Sequence, residues 1–105
     1  MYKRIGEVKK IIGISTRTIR YYEEIGLITK IKRDSSNYRA ISEDDIYILT
    51  MITHFRSAGW SVDEIRKLLE SNNQDEIKRQ YLIALKEERA KVNRLIKMID
   101  NYFDK

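Results

Sequence analysis

A short stretch of the chain carries four side chains that can donate hydrogen bonds to nucleic acid: Arg17, Thr18, Arg20 and Tyr21. They lie near the start of a predicted helix, which is where DNA-reading helices contact base edges while flanking residues hold phosphates. A guanidinium group can donate two hydrogen bonds to one guanine, so one of the two arginines can carry base specificity. The Tyr21 hydroxyl can donate to a phosphate. The pattern predicts a surface that binds double-stranded DNA.

A second group of donors lies in residues 27–41, where the helical spacing of apolar residues stops. Leu27 and Ile28 begin a predicted extended stretch, the polar segment 34–37 predicts a turn, and residues 38–41 predict the returning strand. The candidate DNA-binding residues of this hairpin are Lys30, Lys32, Arg33, Tyr38 and Arg39. The two lysines and Arg33 are candidate phosphate contacts, and each of them could equally be only solvated.

The excess positive charge of the chain lies at its N-terminal end. Residues 1–40 contain ten Lys and Arg against four Asp and Glu, a net charge of +6, whereas residues 41–105 contain eleven against twelve, a net charge of −1. A cationic surface favours duplex DNA because each neutralised phosphate releases counterions. Charge alone leaves open a basic surface without a partner.

Several classes of function are disfavoured by composition. The chain has no cysteine, so it forms no disulfide or thiolate metal site, and the lone His54 is expected to be an ordinary packed or solvated side chain. No nucleophile–base pair, metal-ligand spacing or Gly-rich phosphate loop is present, and Glu23-Glu24 and Asp44-Asp45 are expected to be helix-surface charges. We therefore expect no enzyme, no cofactor and no metal site. Without an apolar run of about 18 residues or a signal peptide, we expect a cytoplasmic protein.

Two short helices are predicted to position the first group of donors. Apolar residues recur at helical spacing from Ile5 to Ile12, and Gly13 follows as a C-terminal cap. Ser15 or Thr16 can cap a second helix that runs to about Ile25 and ends at Gly26. Two helices joined by a tight turn containing glycine predict a helix-turn-helix.

Two further helices follow the predicted hairpin. Ser42 with Asp45 predicts a capping box at the start of a third helix, whose apolar residues recur every three positions from Ile46 to Ala58. Gly59 ends this helix, and Ser61 with Glu64 predicts a second capping box. The polar stretch 70–75 predicts a turn before the last helix.

The last helix is predicted from about Asp75 to Phe103, with apolar residues spaced by alternating steps of four and three. These heptad positions are Tyr81, Leu85, Val92, Leu95, Ile99 and Tyr102, with a polar interruption at Glu88. We expect the helix to pair two copies of the chain, because it is too long for a core of about 70 residues to cover. An amphipathic helix folded back on its own domain is the alternative.

Four motifs resemble the MerR family of transcription regulators. They are Ile5-Gly6-Glu7-Val8, the segment 14–28 with the core TIRYYEEIGLI, Asn37-Tyr38-Arg39, and the segment 59–65. The resemblance covers residues 2–70. It implies a mainly α fold, in which a winged helix-turn-helix with a two-stranded wing (residues 1–72) precedes a long antiparallel coiled-coil dimerisation helix (residues 73–105).

The resemblance also implies roles for individual residues. Arg17 and Arg20 would lie in the major groove, Tyr21 on the DNA backbone, and Tyr38 and Arg39 of the wing on phosphates. The family often has proline after its Gly-Leu pair; this chain has no proline, so a more mobile wing is expected. Asn37 stands where glycine is common and tolerates left-handed backbone geometry.

In mechanism, the resemblance implies a homodimer that binds a pseudo-palindromic site and distorts promoter DNA so that RNA polymerase can engage it. An architectural, excisionase-like DNA-binding protein is the alternative, and a protein-interaction module based on the last helix is a third possibility. The family senses effectors beside or beyond the dimerisation helix. A sensor beyond Lys105, a member without inducer and a signal from a partner all remain open.

Overall fold

The structure, a computed structural model, describes residues 2–29 and 31–104. Its elements, in chain order, are β1 (Tyr2–Arg4), α1 (Ile5–Ile12), α2 (Thr16–Glu24), β2 (Lys32–Arg33), β3 (Arg39–Ser42), α3 (Glu43–Ser57), α4 (Val62–Glu70) and α5 (Gln74–Phe103). The chain divides into two compact units, Met1–Ile52 and Thr53–Lys105. The mainly α, winged helix-turn-helix architecture with a long last helix is as predicted. None of the helices in the described residues combines the length and hydrophobicity that crossing a lipid bilayer requires.

The helix-turn-helix of the first unit is determined by local capping. α1 ends at Gly13, whose φ of +78° is the left-handed conformation that glycine adopts without strain. α2 begins at Ser15, whose hydroxyl oxygen accepts a hydrogen bond from the backbone N–H of Thr18 at 3.1 Å. The predicted boundaries of both helices are confirmed, and Ser15 rather than Thr16 is the cap. Ile19 and Tyr22 lie buried, so α2 presents one face to the core.

A three-stranded antiparallel sheet forms the wing, in the order β1-β3-β2. The predicted hairpin is present, but β2 covers only Lys32–Arg33. The expected extended stretch at Leu27 is wrong: Leu27 and Ile28 form a buried bend after α2, and the Leu27 backbone N–H donates to the carbonyl of Tyr22 at 2.9 Å. The third strand, β1, was not predicted. It has three exposed residues and exists through its pairing with β3, in which Arg4 faces Ala40. Such a strand leaves no local sequence pattern.

The tip of the hairpin is a tight turn built around Asp34. Its carboxylate accepts hydrogen bonds from the backbone N–H groups of Ser36 at 2.9 Å and Tyr38 at 3.0 Å. Asn37 has a φ of +66°, the left-handed geometry that asparagine was expected to tolerate at this position. The predicted turn is therefore confirmed, and its side-chain hydrogen bonds fix the position of Tyr38.

The start of α3 differs from the predicted capping box. The Ser42 hydroxyl accepts from the backbone N–H of Asp45 at 3.2 Å, which is one half of the box. The other half is absent from the described hydrogen bonds, because the Asp45 carboxylate accepts from the hydroxyl of Thr29 instead. Asp45 is only 5% exposed, so its expected role as a surface charge is wrong. This hydrogen bond joins the segment before the wing to the start of α3.

The second unit contains the end of α3, α4 and α5. The predicted capping box at α4 is confirmed in both directions, since Ser61 accepts from the Glu64 backbone and Glu64 accepts from the Ser61 backbone. Phe55 is fully buried, with the ring of Trp60 at 4.7 Å between centroids. Ile65 of α4 is also fully buried, so both helices contribute to one small core.

α5 has 30 residues and is about 45 Å long. Its N-terminal half packs within the second unit, where the Tyr81 hydroxyl lies 2.8 Å from Nδ1 of His54. The pKa of Tyr81 is raised, mainly by burial and to a smaller extent by the nearby charge of Glu88. The Glu88 carboxylate lies 4.0 Å from Nε2 of His54, so the polar interruption of the heptads faces a polar partner within the unit.

The C-terminal half of α5 differs from this: every residue from Lys91 to Asp104 is exposed.

Candidate nucleic-acid interface

The exposed face of α2 carries most of the donors predicted for base and phosphate contact. Arg17 and Arg20 are exposed, and Tyr21 is 47% exposed. Thr18 is half-buried, and its hydroxyl lies 2.9 Å from that of Ser15, so it takes part in the helix cap. Because Ile19 and Tyr22 lie buried on the opposite side of the helix, the face of α2 that carries the two arginines is turned away from the core.

The predicted hairpin residues differ in their surroundings. Lys32, Arg33 and Tyr38 are exposed, whereas Arg39 is half-buried. Lys30 lies outside the described residues. Nη1 of Arg33 donates to the backbone carbonyl of Asn37 at 2.9 Å, so this guanidinium is oriented along the turn.

A surface cleft lies between the N-terminal end of α2 and the hairpin. Its lining residues are Arg4, Ile5, Gly6, Thr16, Arg20, Arg33, Asn37, Tyr38 and Arg39. The cleft brings together four predicted DNA-binding residues from two separate segments: Arg20, Arg33, Tyr38 and Arg39. The other predicted residues with a described position, Arg17, Thr18, Tyr21 and Lys32, are not part of this lining. Four arginines around one cleft make it a natural site for a phosphate group.

Arg4 is a functional candidate that sequence reasoning missed. Its Nε donates to the Asp34 carboxylate at 2.8 Å, and its guanidinium carbon lies 4.1 Å from the centroid of the Tyr38 ring. The hydrogen bond from Arg4, together with the backbone donor of Tyr38, lowers the pKa of Asp34. Only the pairing of β1 with β3 places Arg4 here, and one basic residue near the N-terminus carries no signal for that pairing.

Glu23 also departs from its expected role. It was predicted to be a surface charge, yet its side chain is 17% exposed and lies 3.3 Å from Nη2 of Arg39, itself 21% exposed. Its second carboxylate oxygen accepts a hydrogen bond from the backbone N–H of Ile31. Its neighbour Glu24 is exposed as expected. Because the partners of Glu23 lie eight and sixteen residues away, helical periodicity could not reveal them.

The residues predicted for dimerisation divide into two groups along α5. Tyr81 and Leu85 are half-buried within the second unit, whereas Val92, Leu95, Ile99 and Tyr102 are exposed. Two neighbouring apolar side chains, those of Ile96 and Phe103, are exposed as well. We define the distal apolar face as the residues Val92, Leu95, Ile96, Ile99, Tyr102 and Phe103. A continuous apolar helix face of this kind is typical of an interaction surface.

A winged helix-turn-helix whose second helix and hairpin share a cationic cleft is the architecture of a DNA-binding domain. The family model described as MerR HTH family regulatory protein matches residues 3–72. The chain belongs to the MerR family.

Named relatives place this match among transcriptional regulators. The chain is 45% identical over 65 residues to the HTH-type transcriptional regulator HmrR of Sinorhizobium medicae (strain WSM419), covering 62% of this chain and 44% of the relative. It is 34% identical over 107 residues to the HTH-type transcriptional regulator YfmP of Bacillus subtilis (strain 168), covering 98% of this chain and 76% of the relative. The chain spans less than half the length of curated relatives such as HmrR.

A solved structure supports the same fold. HiNmlR, described as a MerR family regulator lacking the sensor domain and bound to promoter DNA, superposes with a TM-score of 0.68 at 21% identity, covering 92% of this chain and 80% of that chain. At this identity the likeness shows the fold alone. Both relatives are named as transcriptional regulators, which disfavours the architectural alternative. Within the part of the chain that the structure describes, His, Asp and Glu side chains form no group of three that could hold a metal ion.

Proposed function

We propose that this protein is a sequence-specific, double-stranded DNA-binding transcription regulator of the MerR type. The observation that carries the proposal is the cleft in which α2, the hairpin and β1 bring four arginines and Tyr38 together. These groups come from separate segments of the chain and share one surface of the first unit. Arg4 and Arg39 are paired with Asp34 and Glu23, and the phosphates of a polyanion would supply negative charge for the cationic groups that remain.

Within this proposal, α2 reads the DNA sequence and the wing holds the DNA backbone. Arg17 and Arg20, which are exposed near the start of α2, enter the major groove, where an arginine recognises guanine through two parallel hydrogen bonds. Tyr21 donates to a phosphate. Lys32, Arg33 and Tyr38 contact phosphates from the hairpin, as would Lys30. Base contacts then provide specificity, and phosphate contacts provide most of the affinity.

We further propose that two copies of the chain associate through α5. The distal apolar face has the heptad spacing of a coiled coil, and two such faces in antiparallel orientation would bury each other. A two-fold symmetric dimer presents two recognition helices, so its binding site is a pseudo-palindrome. In this arrangement, residues 1–72 bind DNA and residues 73–105 pair the two chains.

The regulatory step of the proposal is a distortion of promoter DNA. Contacts from α2 and the wing of both copies offset the energy needed to bend and untwist the duplex, and the altered duplex engages RNA polymerase in the cytoplasm. Cysteine-based sensing of metals is excluded for residues 1–105, which contain no cysteine.

Selection of bound sequences from a random pool of duplex DNA tests this function. The proposal predicts enrichment of a site with two-fold symmetry, whose half-sites lie one or two helical turns apart. Enrichment of bent or flexible DNA without a symmetric motif would instead indicate an architectural protein. Failure to enrich any duplex would contradict the proposal.

A further inference from the structure

Glu23 is an acidic residue at a position where the helix dipole disfavours negative charge. It lies in the last turn of α2, where the helix macrodipole favours basic side chains, and no basic residue is present in that turn. Its side chain is only 17% exposed. The position of this carboxylate is therefore accounted for by contacts outside the helix.

Those contacts reach both strands of the hairpin. One carboxylate oxygen lies 3.3 Å from Nη2 of Arg39, the first residue of β3. The other oxygen accepts from the backbone N–H of Ile31, which directly precedes β2. A single side chain at the end of α2 thus holds the outgoing and the returning arm of the wing.

The same contacts relieve a charge conflict in the wing. Arg33 and Arg39 face each other directly across β2 and β3, and like charges in that arrangement destabilise a strand pair. Arg33 is satisfied by the carbonyl of Asn37, whereas Arg39 is the partner of Glu23. Both guanidinium groups line the cleft together with Arg20 of α2. Glu23 therefore pairs with one of the two wing arginines that share the cleft with Arg20.

We propose that Glu23 is a positioning residue for DNA recognition: its carboxylate fixes the wing against α2, so that phosphate contacts and base contacts reach the duplex in one geometry. This inference rests on the proposed DNA-binding function. In this inference, the main role of Arg39 is to pair with Glu23. Specific recognition requires both elements to fit one site at once, whereas non-specific binding requires only positive charge.

A positioning role for Glu23 predicts the opposite effect on DNA affinity from the one that charge alone predicts. Removing a negative charge from a DNA-binding surface should strengthen binding to all DNA. If Glu23 positions the wing, Glu23→Gln instead weakens binding to the selected site, by about tenfold or more, because a charge-assisted hydrogen bond is lost. Binding to unrelated duplex stays equal or becomes tighter, so the ratio of specific to non-specific affinity falls.

Glu24→Gln is the matched control. It makes the same change in the neighbouring residue, which is exposed. Dissociation constants of the full chain for a selected site and for a scrambled duplex are measured by fluorescence anisotropy, with folding monitored by circular dichroism. The control is expected to keep the specificity ratio of the wild type. If Glu23→Gln also keeps it while the wild type binds specifically, the positioning role is refuted and the proposed function stands. If the wild type binds no duplex, the proposed function itself fails.

A double variant separates positioning from a general loss of folding. Glu23→Gln with Arg39→Gln leaves neither buried charge unpaired, so it is expected to fold even where the single variant does not. Its specificity ratio is expected to be as low as that of Glu23→Gln, because Arg39 and Glu23 act as one unit. A folded double variant with the specificity ratio of the wild type would overturn the inference. Faster hydrogen exchange of the Ile31 amide in Glu23→Ala is the expected direct sign that the wing has been released.

Discussion

Leu95 lies in the middle of the distal apolar face, and its replacement by aspartate tests whether that face pairs two chains. In the single chain Leu95 is 49% exposed, so about half of its side chain is available for burial by a second copy. Leu95→Asp removes that apolar surface and places a carboxylate at the proposed interface. The change should not unfold the monomer, because every side chain from Lys91 to Asp104 is already exposed.

The size of the effect follows from these exposures. Full burial of a leucine side chain contributes about 1.5–3 kcal/mol, so the remaining half contributes about 1 kcal/mol. Two-fold symmetry doubles this loss to about 2 kcal/mol per dimer, and desolvation of two carboxylates adds to it. The dissociation constant of the dimer should therefore rise by at least about thirtyfold. Because only one small face is buried per chain, the wild-type dimer itself is expected to be of moderate affinity.

Light scattering coupled to size exclusion, over a range of protein concentrations, measures this effect. Asn93→Asp is the matched control: it adds the same charge to an exposed site on the side of α5 away from the heptad positions. The wild type and this control should have the mass of two chains at tens of micromolar, and Leu95→Asp the mass of one. A wild type with the mass of one chain, or a Leu95→Asp variant with the mass of two, would refute pairing through the distal apolar face.

Three further predictions concern the first unit. Arg20→Ala should weaken binding to the selected site by about 1–3 kcal/mol and relax base preference at one position of each half-site, as measured by repeating the selection; unchanged affinity would show that Arg20 reads no base. Lys32→Ala should weaken binding to all sequences about equally and make the salt dependence shallower, and a sequence-dependent loss would contradict a phosphate role. The pKa of Asp34, measured by NMR, should lie below its ordinary value of 3.8 and return towards it in Arg4→Ala. Because the folded-state pKa is lowered, the contribution of Asp34 to stability is present above the ordinary pKa and is lost as pH falls through the folded-state value, so the wing should loosen only in strong acid.

The parts of the fold that sequence predicted well depend on neighbours within a few residues. Gly13 ends α1 and Ser15 begins α2 through contacts with the nearby backbone, so residue types and spacing were sufficient to predict both boundaries. The box of Ser61 and Glu64 is equally local. Exposure of Arg17 and Arg20 follows from the helical period once the buried face of α2 is known.

The features that sequence did not predict depend on distant partners. β1 exists only through its pairing with β3, about forty residues later in the chain. Asp45 is buried because its carboxylate meets Thr29, sixteen residues earlier, instead of completing a cap with Ser42. Helical spacing alone predicts Glu23 to be a surface charge, because its partners belong to a hairpin that starts beyond the helix. In each case tertiary contacts override the local pattern.

The affinity of the folded protein for duplex DNA, measured as a function of salt concentration, tests the central claim most directly. If the arginine-lined cleft and the exposed face of α2 lie against phosphates in both copies of a dimer, at least four phosphates are neutralised. The logarithm of the binding constant should then fall with the logarithm of salt concentration with a slope of about −3.6 or steeper. Binding that does not depend on salt, or no binding to any duplex at low salt, would contradict the account.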